Sequence, residues 1–448
     1  MNLPLNGRIA IIDNQIEEAL PLMRVFSKKQ MPYVFYKGDD LDFLPEPNSR
    51  FNDIRLLFLD INLLNNKTPS EKDVKSTLYG VLTKVISENN YPYTLIYWSK
   101  QEDVYGKLVT ELFNKELKDR APISIHPFKK SDFFNLDGEP TANDLDLIQE
   151  ITTVLSNEPA YSYLLNWENK IHQAADKTLH EIFNPFTQAN WSNDTNHLMT
   201  KLGVSFSGKA YASKNAAEKL KSTFNTLNII LNDTVETFIN NNAVQDAIEL
   251  TSNFNPENSN SHLINKKLLL SDEIHPVDYP GTVLKDTSNK KHFENIILSE
   301  IIDLKTLDKA VGASGDTTDK VLSKLRKAKR AEMRTGMKGI WFVVTPLCDY
   351  VQDKAGFKKV VHGVALKKDF AYLLDTKSEA FFISPPFKLE EESYVLVLNF
   401  RYLHTMNEID PNEHLKPVFR ARQQLLAEVQ SKLARHLSRQ GILFLSDI

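Results

Sequence analysis

The stretch from Ile54 to Asn66, I-R-L-L-F-L-D-I-N-L-L-N-N, constrains the fold most: a short unbroken apolar run that stops at one carboxylate, Asp60. A continuous Leu/Phe/Ile run bounded by polar residues suits a strand covered on both faces, as in a parallel sheet with helices above and below. Ligands and chemistry collect outside the carboxyl ends of such strands. Three further runs repeat the pattern. Arg8 to Ile12 ends in Asp13 and Asn14, Tyr93 to Trp98 ends in Ser99, and Pro122 to Phe128 ends in Lys129 and Lys130. Between the runs, Gln15–Lys29, Pro69–Glu88 and Asp103–Leu117 carry apolar residues at helical spacing. Strand and helix therefore alternate, which predicts a doubly wound parallel α/β domain over residues 1–135.

Two acids, a hydroxyl and a lysine at successive strand ends suit a divalent cation and a phosphoryl group. Carboxylate oxygens match a hard ion such as magnesium, while a hydroxyl and an ammonium hold phosphoryl oxygens.

This order of motifs resembles the receiver domain of two-component response regulators, over residues 1–135. In that family an acidic pair ends the first strand, a phosphoacceptor Asp the third, Ser or Thr the fourth, and Lys the fifth. Here I-I-D-N, Ile11 to Asn14, matches the first motif with Asn14 in place of the second acid. L-L-F-L-D-I-N-L places Asp60 at the phosphoacceptor and Asn62 where a backbone carbonyl reaches the metal, and Ser99 takes the hydroxyl position. The lysine has two alignments: His126 when matched on the family's Lys-Pro dipeptide, Lys129 or Lys130 when matched on strand length.

The resemblance implies magnesium held at Asp13, Asn14, Asp60 and Asn62, and a phosphoryl group passed from a histidine kinase to Asp60. Ser99 and the lysine then move toward the new charge. Asn14 removes one negative charge, which lowers magnesium affinity. A pseudo-receiver that docks a kinase or ATPase partner without phosphoryl transfer therefore stands beside the first reading, as does an Asp60 that merely caps a turn. Large receiver-headed proteins with unfamiliar output domains also resemble components of bacterial conflict and phage-defence operons, an argument by association.

With 448 residues the chain is too long for one ordinary core, and two to four domains are expected. Lys and Arg number 54 against 58 acids, so any nucleic-acid contact has to come from a local patch. The single cysteine, Cys348, excludes an intrachain disulfide and a Cys-based zinc cluster and points to a reducing compartment. No signal-like N-terminus and no apolar run of bilayer length is present, so a cytoplasmic protein without a membrane partner is expected.

An Asp/Asn/Gly/Pro-rich stretch at 132–143 bounds the first domain, and helical periodicity then dominates a middle domain over 136–252. His172, Asp176 and His180 fall four apart on one helix face there, a metal-like spacing that lacks an H-E-x-x-H signature and also arises by chance. Beyond an Asn/Ser-rich linker at 253–261, short apolar runs separated by Gly, Pro and charged turns predict a β-rich domain over 253–448. It is expected to be a small barrel-like sheet closed by a helix at Pro417–Ser438. In topology it resembles the SH3-like barrels of the PemK and MazF toxin family.

Two features of this last domain carry chemistry. Cys348 and Asp349 with His362 read either as nucleophile, base and orienter or as a tight turn with a buried thiol. The basic segment Lys320–Lys338, with Lys324, Arg326, Lys327, Lys329, Arg330 and Arg334, reads either as a phosphate-binding patch or as a solvated helix face, without aromatics for base stacking. The expectation for the whole is a signalling protein whose N-terminal module controls a β-rich output. The alternative is an effector enzyme or nucleic-acid-binding protein acting through its C-terminal domain.

Overall fold

A computed structural model describes residues 8–46, 53–64, 69–88, 90–99, 102–135, 144–185, 190–241, 261–273, 276–287, 291–313, 317–354, 356–407, 409 and 414–438. The expected linker at 253–261 lies almost wholly outside them. The chain divides into two compact units, one of Met1–Trp191 with Asn228–Glu249, the other of Ser192–Leu227 with Leu250–Ile448. The expected middle domain, 136–252, is shared between them.

Unit 1 is built on five parallel strands: β1 (Ile9–Asp13), β2 (Tyr33–Lys37), β3 (Leu56–Leu59), β4 (Thr94–Ser99) and β5 (Ser124–Lys129). Their order is β2-β1-β3-β4-β5, a doubly wound arrangement whose direction of winding switches between β1 and β3. Helices α1 (Ile16–Lys28), α2 (Glu71–Val85) and α3 (Glu102–Lys115) fill three of the crossovers, and among the described residues between β2 and β3 there is a 3-10 turn at Leu41–Phe43. The short α4 (Lys130–Phe133) follows β5 directly, and α5 (Asp144–Ser156) and α6 (Pro159–Phe183) come next.

Alternate residues of each strand face opposite layers. On one side Ile9, Ile11, Leu56, Phe58, Ile96 and Trp98 pack with Leu22 and Phe26 of α1 and with Ile148 and Ile151 of α5. On the other Ala10, Ile12, Leu57, Leu59 and Leu95 pack with Leu78 and Leu82 of α2 and Leu112 of α3. Thus α5 is a layer of the sheet, and the helical stretch that begins at residue 136 is not separate from the α/β core. At the opposite end of the strands, Glu168 of α6 accepts from Arg8, just before β1, and from Arg55, just before β3. The Tyr161 hydroxyl donates to the Arg55 carbonyl.

Unit 2 contains α7 (Trp191–Ser207) and the start of α8 (Ala216–Asn241), then α9 (Ser261–Leu269), an eight-stranded antiparallel sheet and its helices. The strands are β6 (Leu270–Ser271), β7 (Thr282–Asp286), β8 (Lys338–Val343), β9 (Lys358–Lys367), β10 (Phe381–Ile383), β11 (Phe387–Leu389), β12 (Glu392–Met406) and β13 (Leu415–Ala421). They pair in the order β10-β12-β9-β8-β7-β13-β6, with β11 on β12. Helices α10 (Lys291–Glu300), α11 (Leu304–Ala310) and α12 (Asp319–Arg334) lie between β7 and β8 in sequence. A short α13 (Leu347–Val351) follows β8, and α14 (Gln423–Leu437) follows β13.

Along β12 the pleat divides two cores: Leu396 and Leu398 join Leu425, Val429 and Leu433 of α14, while Val395 and Val397 join Ile297, Leu298, Leu307 and Met333 of α10 to α12. Two expected elements differ. The terminal helix begins at Gln423 because 415–421 is spent as β13, which pairs antiparallel with β7. The apolar run Lys267–Leu270 reads as a strand from the sequence, but 267–269 belong to α9, leaving only Leu270–Ser271 as strand.

Phe58 is fully buried on β3, 5.5 Å from the Phe26 ring and 6.2 Å, edge-on, from Trp98. Phe58→Ala is expected to cost about 3–5 kcal/mol through a cavity between sheet and α1. Urea unfolding followed by tryptophan fluorescence checks this, with Val34→Ala at an exposed site of β2 as the near-neutral control.

Candidate functional site

The two strands at the winding switch each end in a buried acid. Asp13 is the last residue of β1 and Asp60 the first after β3, and Asp60 is tied to β1 by its backbone N–H donating to the Ile12 carbonyl at 2.8 Å. Each carboxylate caps the turn that leaves its strand: Asp13 Oδ1 accepts from Gln15 N–H at 2.9 Å, and Asp60 Oδ1 from Asn62 N–H at 3.2 Å. Their other oxygens point to one cation. Lys130 Nζ donates to Asp13 Oδ2 at 2.8 Å, to Asp60 Oδ2 at 3.0 Å and to Glu18 Oε2 at 3.1 Å. An ammonium has three N–H groups. All three are met by carboxylates.

Packing holds the lysine there. Phe128 on β5 stacks on Phe133, Phe133 stacks on Trp98 at 5.8 Å, and Phe134 meets Trp98 edge-on at 5.9 Å. Phe128 and Phe134 flank α4 in the chain, and the first residue of α4 is Lys130. Of the candidates for the lysine position, Lys130 is buried among the acids. Lys129 is exposed at the end of β5, and His126 is half-buried within β5, with its imidazole pushed down chiefly by burial. Ser99 ends β4 in register with Lys129 and is buried, Asn14 is buried, and Asn62 is half-buried with its side-chain oxygen accepting from Leu64 N–H.

Glu18 was not anticipated from the sequence. It sits in the first turn of α1, five residues after Asp13, where a helix entering from β1 turns back over the strand end. An acid in the first turn of a helix is also favoured by the helix dipole, and this commoner reason conceals its role. Its carboxylate is the third around Lys130, and its side chain is the most open of the three, at 26% against 1% for Asp13 and 9% for Asp60.

The electrostatics follow from burial. Removal from water pushes the Asp13 carboxyl up to about 6, with Asp60 adding to the rise and Lys130 opposing it. For Lys130 burial alone lowers the ammonium, but Asp60, Asp13 and Glu18 together raise it well above the ordinary lysine value. Lysine therefore stays charged, and Asp13, the most buried of the acids, bears the cost of a dry site.

As a magnesium site the donor type fits, since carboxylate oxygens suit a hard dication. Asp13 and Asp60 are the side chains that would hold it. The point on which they converge is held by the Lys130 ammonium, and among the described residues no trio of acidic, His or Cys ligands is arranged for a metal. That statement covers His172, Asp176 and His180, of which Asp176 and His180 are exposed on α6. In unit 2, Cys348 is exposed on α13 with its Sγ 3.8 Å from Asp349. His362 is buried on β9, 4.6 Å from the Trp341 ring, with its imidazole pushed down to about 4, chiefly by burial. The expected buried thiol is therefore exposed, and it is the histidine that is buried.

No protein-family model, no curated protein and no solved structure matches the chain.

The rise at Asp13 sets a pH dependence. Between pH 4 and 6 the folded carboxyl holds a proton that the unfolded one has released, so this group's stabilising contribution is complete at low pH and falls as pH rises to about 6. The loss is about 2–3 kcal/mol. Urea unfolding of the native chain and of Asp13→Asn at pH 4.5, 5.5, 6.5 and 7.5 checks it: the advantage of the native chain is expected to shrink across the lower values and then level off.

Proposed function

We propose that unit 1 is a receiver-type signalling module in which Asp60 accepts a phosphoryl group, and that its state controls the β-rich unit. One observation carries the reading: Asp13, Asp60 and Lys130 converge at the carboxyl ends of neighbouring strands, at the winding switch of a parallel sheet ordered 2-1-3-4-5. In the transfer step an Asp60 carboxylate oxygen attacks phosphorus, and the bond from phosphorus to its donor breaks, either the imidazole nitrogen of a phosphohistidine or the carboxyl oxygen of acetyl phosphate. An acyl phosphate forms. Lys130, already bonded to Asp60, passes to the phosphoryl oxygens and offsets their charge. Asp13 orients Lys130 from the other side. Magnesium bound by Asp13 and Asp60 would supply further neutralisation of the incoming group. A histidine kinase or an ATPase-type protein is the partner that this chemistry calls for.

A second reading is favoured by one feature. All four oxygens of Asp13 and Asp60 accept hydrogen bonds, the ammonium is saturated, and Asp60 is buried. Such a closed cluster also suits a pseudo-receiver, whose surface docks a partner without phosphoryl transfer.

Incubation with acetyl phosphate and magnesium, read by intact mass, separates them. One added phosphoryl group is expected on the native chain and none on Asp60→Asn, and Lys130→Ala is expected to slow the gain about 10²–10³-fold. No mass gain on a natively folded chain, with a phosphohistidine donor as well as acetyl phosphate, defeats the phosphoryl reading and leaves the docking one.

A further inference from the structure

The basic segment of the β-rich unit is used by neither reading. From Leu304 to Arg334 the chain carries nine Lys and Arg against four acids, although the whole chain is net acidic. The structure sorts these cations. Arg326 is spent on a two-pronged pair with Asp308 at 2.6 and 2.7 Å, and Lys329 on Glu332 at 2.8 Å and the face of Phe370. Lys338 has left the helix and lies at the start of β8, near Glu390 and over Tyr394. Arg330 is half-buried, and Lys305 and Lys309 are exposed on the separate α11, so what remains on α12 is one exposed stripe: Lys320, Lys324, Lys327 and Arg334.

Steps of four, three and seven residues keep these four on one side of a helix, over about 21 Å of its length. The opposite side is anchored in the unit's own core through Met333, which is fully buried, and through the Arg326 pair. The stripe is therefore presented on a fixed rod.

We propose that α12 is a docking face for the sugar–phosphate backbone of duplex nucleic acid. A row of cations on a straight rod matches a row of phosphates, and a helix about 10–12 Å across fits a major groove about 12 Å wide. A single strand fits less well, because α12 has no aromatic side chain on which a base could stack. A lipid surface also fits less well. The buried apolar side of α12 faces the protein, and only Val321 and Leu325 are exposed beside the cations, far short of the apolar face that an interfacial helix inserts. Binding through phosphates alone is indifferent to sequence and steeply dependent on salt.

Fluorescence anisotropy with the full chain and a labelled DNA duplex of mixed sequence tests this. Saturable binding is expected at about 50 mM salt, falling about 100-fold by about 200 mM if four phosphates are engaged. The triple variant Lys320→Glu, Lys324→Glu, Lys327→Glu is expected to lose at least about 100-fold in affinity with an unchanged circular dichroism spectrum. Should it fail to fold, Lys324→Gln with Lys327→Gln, two neutral changes at exposed positions, is expected to make the salt slope shallower by about 2. The proposal is overturned by no saturable duplex binding, by a folded triple variant or a double variant that binds as the native chain does, or by tighter binding to a single strand. Sedimentation with phosphatidylserine vesicles in the absence of duplex binding overturns it equally, in favour of a membrane surface.

Discussion

Strands β1 and β3, buried on both faces, have nowhere to put a polar side chain except at their ends. In unit 1 this single constraint places everything of chemical interest. Ile9 to Ile12 and Leu56 to Leu59 are wholly buried, so the first residues able to carry a charge are Asp13 and Asp60. Parallel direction puts both at the same edge, and the winding switch puts them side by side with no helix crossing between them. A carboxylate half-withdrawn from water then needs a donor, and the chain supplies backbone N–H groups from the turns and one ammonium from the start of α4.

That ammonium decides the character of the site. Three carboxylates around one lysine leave the cluster negative, and the cost falls on the most buried acid, Asp13. A cluster of this kind can respond to charge in two ways: it can accept a proton, or the lysine can turn to a stronger anion brought to the pocket. Removing one partner of a buried pair is costly, and supplying a better one is favourable. Glu18 matters here because it is the most exposed of the three acids around the lysine.

Much of this was legible in the sequence, and for a simple reason. A strand covered on both faces is written as an unbroken apolar run, and the residue that ends the run is read directly. Asp13, Asp60 and Ser99 were found that way. The lysine was harder, since Lys129 and Lys130 are adjacent and the pleat alone decides which turns inward; the stacked rings of Phe128, Phe133 and Trp98 settle it. Glu18 was invisible because its approach to Asp13 depends on the angle at which α1 leaves β1, and no local pattern records such an angle. In unit 2 the segment 417–421 reads from the sequence as the start of the terminal helix, whereas it is strand. Its partner strand β7 lies more than a hundred residues earlier in the chain, and a pairing over that separation leaves no periodicity in its neighbours. The place of α5 stays open in the sequence for the same kind of reason, since its apolar face is equally compatible with a last helix of the α/β domain and with the start of a connecting one.

The clamp at the far edge of the parallel sheet gives the acid pocket a mechanical counterpart. β1 and β3 carry Asp13 and Asp60 at one tip, and at the other tip the guanidinium groups that flank them grip a single carboxylate, Glu168. The two strands are thus yoked. Neither can slide along its axis without dragging the same side chain, and that side chain belongs to a helix of 25 residues. That helix is itself packed beyond Glu168, with Ala174 and Thr178 buried, so the carboxylate that joins the two strands is held in place from both directions.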